Sequence, residues 1–288
     1  MSKEIRPHDL VTVTKTKHIV EVQHMEKRNG KSRIRKLNKD EYMNLNTGEV
    51  KDFDHTENRS ENINSIRKTM KNLRYLINNN FEGKKNELHI ILTYKENMTD
   101  NKQLYKDCDR FMKKLKYRQK TTIEYINVVE AQGRGAWHCH LLAVFPQQKE
   151  VFIRNSDLAD MWGHGFVRLN RLEDVDNIGA YLSAYLADIE LKEGMDPPAG
   201  EVLEKEVNGK KKRFIKGGRL HLYKTGMKLY RKSRGILPPD REQMTYKKSK
   251  KITGSANPHY RKTFEIESED FTNTITFEQY NLKRQINE

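Results

Sequence analysis

IEYINVVEAQGRGAWHCHLLAVF, residues 123–145, is the stretch from which the rest of this chain is best read. Two apolar-rich runs, Ile123–Glu130 and Ala136–Phe145, flank the linker Gln132-Gly133-Arg134-Gly135. Glycines placed this way between two such runs mark a hairpin loop, so the stretch predicts two antiparallel strands. Alternate residues of a strand share a face, so His138 and His140 point one way and Cys139 the other. Glu130 ends the first strand and comes close to the His pair across the hairpin. Two imidazoles and a carboxylate on one face form a donor set for a divalent ion. The same His pair also fits the exposed face of a half-buried strand, with no ligand at all. A His/Cys zinc site is a third option, but the other cysteine is Cys108 and no Cys-x-x-Cys occurs. Cys139 reads as a small buried hydrophobe.

Two further segments carry weight. Asn177–Ile189 reads NIGAYLSAYLADI. Val175, Ile178, Leu182, Leu186 and Ile189 recur at helical spacing, with Asp174 as the expected cap. Tyr181 and Tyr185 are i, i+4 neighbours and stack on one side of that helix, at the edge of the apolar stripe. Tyrosines there can be mere core-edge residues. Beside a metal site, their hydroxyls are candidate nucleophiles. Leu88–Asn97 (LHIILTYKEN) is an apolar strand ending in a Thr.

In this order the three segments resemble the motifs of the HUH endonucleases, which start rolling-circle replication and process single-stranded DNA. The His-hydrophobic-His strand is their signature. Tyr181 and Tyr185 resemble the paired-tyrosine helix of the phage and plasmid replication initiators, the filamentous-phage and microvirus kind. The resemblance covers Leu88 to Lys192. It implies His138, His140 and Glu130 as ligands of Mg²⁺ or Mn²⁺, with Gln132 and His89 as alternatives for the third position. It implies Tyr181 and Tyr185 as catalytic residues that take the 5′ phosphate and leave a free 3′ hydroxyl. It implies single-stranded or hairpin origin DNA as substrate, and a host DNA polymerase as partner. No GxxxxGK[ST] occurs, so strand separation is assigned to a host helicase. The chain departs from the family pattern in one respect. Where a Lys often follows each Tyr by three residues, it has Ala184 and Asp188, with Lys192 one turn later. Which tyrosine acts first stays open.

The residue types suit that chemistry. A phosphodiester repels nucleophiles because its oxygens are negative, and a divalent ion offsets that charge. A phenol with a pKa near ~10 needs help to attack. A phosphotyrosine divides one transfer into two easier steps and conserves the bond energy for rejoining. Related alternatives are a relaxase or transposase of the same chemistry, a non-catalytic DNA-binding replication protein, and a metal hydrolase that uses water. Relaxases of the common type place their tyrosine before the histidines, whereas here the pair follows them.

Charge agrees with a nucleic-acid partner. The 288 residues carry a net charge of +15, and Lys205–Lys262 alone holds 19 Lys or Arg against 3 Asp or Glu. Within it, Lys210, Lys211, Lys212, Arg213, Arg231, Lys232 and Arg234 are candidate DNA contacts. Phe214, Tyr223, Tyr230 and Tyr246 are interleaved, as for a phosphate backbone with stacked bases. A solvated charged face has the same composition. Arg219–Gly235 alternates apolar and basic residues in places and predicts a hairpin. Two cysteines and no apolar run of membrane length fit a reducing cytoplasm, that of a bacterial host, with no membrane partner.

The fold class expected is α+β, a central antiparallel β-sheet flanked by helices as in HUH endonucleases, with a basic C-terminal extension. Residues 1–85 read as a β-rich segment (Leu10–Met25), a turn-prone stretch (Lys36–Asp54) and a helix (Asn62–Asn80). Residues 86–195 form the endonuclease core, including a helix at Lys102–Tyr117, a short capped helix at Asn155–Met161 and a strand at Phe166–Leu169. His164 lies in the turn between the last two. Glu193–Gly200 is a boundary, and 200–288 is the basic C-terminal DNA-binding region.

Overall fold

A computed structural model describes residues 4–28, 33–53, 63–132, 135–173, 175–187, 189–191, 202–207, 210–215, 219, 222–223, 226–268 and 271–287. Glu193–Gly200, Asp174, Asp188 and Lys192 lie outside the described residues. The chain divides into two compact units, Met1–Glu57 with Pro239–Glu288, and Asn58–Pro238. These boundaries differ from ones drawn by motif order and charge, because strands distant in sequence pair.

The first unit starts with valines alternating with polar residues in Leu10–Lys15 (β1) and Ile19–Met25 (β2). Val11, Val13, Val20 and Val22 are buried, as period-two patterning requires. Ile34–Lys36 (β3), Glu41–Asn44 (β4) and Val50–Asp52 (β5) form a separate small antiparallel sheet. The sequence predicts turns over Lys36–Asp54. The turns are there, with Asn38 Oδ1 accepting the N–H groups of Asp40 and Glu41, each at 2.8 Å. The strands between them are short and not buried, so they leave no alternation to read.

The second unit carries the motifs. Its helices are Ile63–Asn80 (α1), Asn101–Gln119 (α2), Asn155–Trp162 (α3) and Ile178–Ala187 (α4). Asp100 caps α2 by accepting the N–H groups of Lys102 and Gln103. The Asn155 side chain does not cap α3. Its amide instead donates to the Val167 carbonyl oxygen, and Arg154 stands at the cap position without a side-chain bond. Strands Glu87–Leu92 (β6), Glu124–Ala131 (β7), Trp137–Val144 (β8), Val167–Asn170 (β9) and, after Ile189–Leu191 (β10), Val202–Val207 (β11) and Lys210–Ile215 (β12), the strand Tyr230–Lys232 (β13) complete it. The main sheet runs β13-β7-β8-β6-β9 and is antiparallel throughout. Strands β10, β12 and β11 form a separate sheet in that order.

Alternation splits the main sheet into two faces. Leu88, Ile90, Leu92, Val129, Cys139 and Leu141 pack with α2 and α3. Ile126, Val128 and Leu142 pack with Leu73 and Ile77 of α1 and Ile178 and Leu182 of α4. This is the α+β architecture expected, an antiparallel sheet between helical layers.

Arg219–Gly235 is not a hairpin. Among its described residues only Tyr230–Lys232 is strand, and it pairs with β7. Tyr223, Met227 and Leu229 fill the α2/α3 side of the core, which explains the apolar spacing.

The first unit is completed by Asp240–Thr245 (β14), Tyr246–Thr253 (α5), Tyr260–Ser268 (β15) and Phe271–Asn281 (β16). Its sheet runs β14-β1-β2-β16-β15, all antiparallel. No helix among the described residues is long and apolar enough to cross a membrane.

Candidate active site

Strands β7 and β8 pair with Glu130 opposite His138 and Val128 opposite His140. The hairpin closes through Gln132 N–H to Ala136 O at 2.8 Å, and Gly135 sits at φ 81°, a conformation that favours glycine. Gly133 and Arg134 lie outside the described residues. Glu130, His138 and His140 share the α1/α4 face, and Cys139 is buried on the other, where its thiol donates to Asn127 Oδ1.

On that face the side chains form a chain of contacts. His140 Nε2 lies 2.6 Å from Glu130 Oε2, and His138 Nδ1 lies 3.9 Å from the same oxygen. Gln132 Nε2 meets His138 Nδ1 at 3.2 Å. Behind His140, His89 Nε2 sits 2.9 Å from its Nδ1. Arg219, from the segment after β12, pairs with Glu130 Oε1. The edge of Tyr181 faces His89, with ring centroids 6.3 Å apart at 90°.

Burial, then the positive charge of His140 and that of Arg168, lower the His89 pKa to about 3, so its ring is neutral at neutral pH. A neutral His89 donating from Nε2 to His140 Nδ1 makes His140 Nε2 the donor to Glu130. His89 Nδ1, buried with no hydrogen-bond partner among the described residues, is then a bare lone pair. For Glu130, burial raises the pKa. The His140 hydrogen bond and the charges of His140, Arg219 and His138 outweigh it, and the net shift is downward. Glu130 is therefore held as a carboxylate.

Among the described residues no three His, Cys, Asp or Glu side chains already enclose a space for a metal ion. Glu130 and His140 touch each other directly. The donor chemistry nonetheless fits a divalent ion, with two imidazole nitrogens and a carboxylate oxygen on one face. His89, on the side of His140 away from Glu130, occupies the place of a partner that orients a ligand ring.

Helix α4 brings Tyr181 to this face. Asn177 Oδ1 accepts the Ala180 N–H at 2.9 Å, the position of an N-cap, whereas the expected cap, Asp174, lies outside the described residues. Tyr185 is on α4 one turn after Tyr181, and its side chain is outside the described residues. His164 does not approach the site. It packs against Tyr94 and Trp162 near Asp107, on the α2/α3 side.

The candidate DNA contacts are dispersed. Lys210, Lys211, Lys212 and Arg213 are consecutive on β12, and of these side chains Arg213 is described, as exposed. Arg231 pairs with Asp109 and lies over the Tyr105 ring, 5.2 Å from its centroid. Lys232 donates to the Ile236 carbonyl oxygen at 2.8 Å, and Arg234 is exposed. Arg219 is a site residue that sequence reasoning misses, since nothing local distinguishes it from the other basic residues of its segment.

No curated protein and no solved structure matches the chain. Residues 87–190, from the start of β6 through His89, Glu130, the His pair and both tyrosines, match the model of a family of replication-associated proteins, the ORF2 type, a match consistent with a replication initiator.

Proposed function

We propose that this chain is a rolling-circle replication initiator that nicks and rejoins single-stranded origin DNA through a 5′-phosphotyrosine. The observation that carries this reading is the convergence of Tyr181, His89, His140 and Glu130 on one sheet face, within the stretch matched by the replication-associated family. In the reading, His138, His140 and Glu130 hold a divalent ion. A bound Mg²⁺ or Mn²⁺ would withdraw charge from the scissile phosphate and fix its position. The tyrosine oxygen bonds to phosphorus as the phenol proton leaves. The bond to the 3′ oxygen breaks, and that oxygen takes up a proton as the free 3′ hydroxyl. Because the new phosphodiester keeps the bond energy, a 3′ hydroxyl can later reverse the step. A second tyrosine allows a second cleavage while the first adduct persists.

Incubation with a set of single-stranded origin oligonucleotides and Mn²⁺ tests the reading. A covalent protein–DNA adduct is expected, and His138→Ala/His140→Ala should abolish it while leaving much of the DNA binding. Free fragments without adduct would favour a water-using hydrolase. Binding without any cleavage would favour a non-catalytic replication protein. Full cleavage by the double His variant would remove the metal site from the account.

A further inference from the structure

Glu130 has both oxygens engaged. Oε2 meets His140 Nε2 at 2.6 Å, and Oε1 is paired with the guanidinium of Arg219. The same Nη1 of Arg219 donates to the Ala131 carbonyl oxygen at 3.0 Å. The side chain is 17% exposed, and its Nε is buried without a hydrogen-bond partner among the described residues. A fixed positive charge therefore sits on the carboxylate expected to bind a metal.

This has two physical consequences. A divalent cation cannot settle on Glu130 without lying beside a guanidinium that does not lose its proton, and like charges at that range repel. The guanidinium must then move off Oε1. It stays tethered at the site by its own backbone, and its planar fork matches phosphate oxygens two at a time. A DNA phosphate is the group that the proposed reaction brings to this face.

We propose that Arg219 is the phosphate-binding residue of the site, held on Glu130 until metal and DNA arrive together. The inference rests on the function proposed above. The metal frees the guanidinium, and the phosphate receives it. Each ligand thus favours the other, and by linkage the two affinities rise by the same factor. Arg219 acts as a guard against metal loading in the absence of DNA.

The test is Mn²⁺ binding to the full chain by titration calorimetry, with and without a single-stranded oligothymidylate that is not cleaved. Wild type should bind Mn²⁺ more tightly when the oligonucleotide is present. Arg219→Gln should raise the Mn²⁺ affinity of the DNA-free protein about tenfold and lose most of the enhancement by DNA, in the usual range of such couplings. Arg219→Lys keeps the charge on Glu130 but not the fork. Its DNA-free Mn²⁺ affinity should stay near wild type while the enhancement falls. Wild-type Mn²⁺ affinity in Arg219→Gln, with the enhancement intact, would overturn the inference. If circular dichroism shows that Arg219→Gln does not fold, Arg219→Lys decides, and an undiminished enhancement there overturns it equally. If wild type shows no Mn²⁺ binding that His140→Ala removes, the metal reading itself fails, and this inference falls with it. The two failures are told apart by that control.

Discussion

At the scale of single residues, the site is held together by groups whose charge states depend on one another. His89 is 0% exposed and cannot take up a proton there without losing its hydration and meeting the positive charges of His140 and Arg168. Its folded pKa of about 3 lies below the free value of 6.5. The unfolded chain therefore binds this proton first, and the stability that a neutral His89 contributes is complete above 6.5 and lost progressively as pH falls toward 3. Thermal melts of the metal-free protein should show the melting temperature falling between about pH 7 and about pH 5, and His89→Gln should flatten that slope. The window stays above the free carboxylate value of 4.5, below which Glu130, with its lowered pKa, begins to contribute in the same direction. An unchanged slope in His89→Gln would mean that the imidazole is not buried as a neutral group. The tyrosines obey a separate logic. Phe keeps the ring and deletes only the nucleophile, so Tyr181→Phe/Tyr185→Phe should eliminate the adduct. Whichever single variant alone retains the first cleavage shows that the other tyrosine is primary.

At the scale of elements, Tyr181 is placed by the contact of α4 with α1. Gly179 allows that contact. A Cβ there would lie 2.7 Å from Asn78 Oδ1 and 2.9 Å from the Arg74 carbonyl oxygen. Asn78 Oδ1 also accepts the Gly179 N–H at 2.9 Å, and Asn78 donates to Asn177 Oδ1, so one side chain ties α1 to the start of α4. Gly179→Ala must push the helices apart or break this bond. The expected loss is about 1–3 kcal/mol in urea melts, with adduct yield falling further than stability accounts for, because Tyr181 moves relative to His89. Adduct yield that tracks only the folded fraction would show that the helix contact does not position the nucleophile. The same elements show what was legible in the chain. Helices α1, α2 and α4 and the β7–β8 hairpin are long and periodic, and their patterns identify them within a few residues. The His pair, Glu130 and Tyr181 are positions on those elements, so their shared face follows from the same patterns. Arg219 and its partner Glu130 are 89 residues apart, and the bond between them leaves no local signal. The apolar spacing of Tyr223, Met227 and Leu229 has its cause in the sheet they pack against, and alone it imitates a hairpin. The pairing of β1 with β14 joins Leu10 to Thr245, and nothing near either residue announces it.

For the whole molecule, the question is where the positive charge acts. Asn58–Pro238 holds 34 Lys or Arg against 22 Asp or Glu, so that unit carries +12 of the total +15. Residues 205–238 supply 12 Lys or Arg against 1 acidic residue, which is almost all of that excess. Removing everything after residue 204 does not isolate this charge. It would also strip β13 from the main sheet and β14, β15 and β16 from the sheet built on β1 and β2. Substitution separates the effects. Arg231 is bound to Asp109 and Tyr105, so Arg231→Gln should cost stability and leave the salt dependence of DNA binding nearly unchanged. Lys210, Lys211, Lys212 and Arg213 lie together on β12, where Lys211 stands opposite Glu206 and Arg213 opposite Glu204. Each phosphate contact on single strands contributes about 0.7 to the slope of log affinity against log salt. Changing all four to Gln should therefore flatten that slope by up to about 3, with the weakening greatest at low salt. Fluorescence anisotropy with a labelled single strand over a salt series reads it directly. A slope equal to that of wild type would show that β12 is a solvated face, and that the DNA backbone is met elsewhere on the unit.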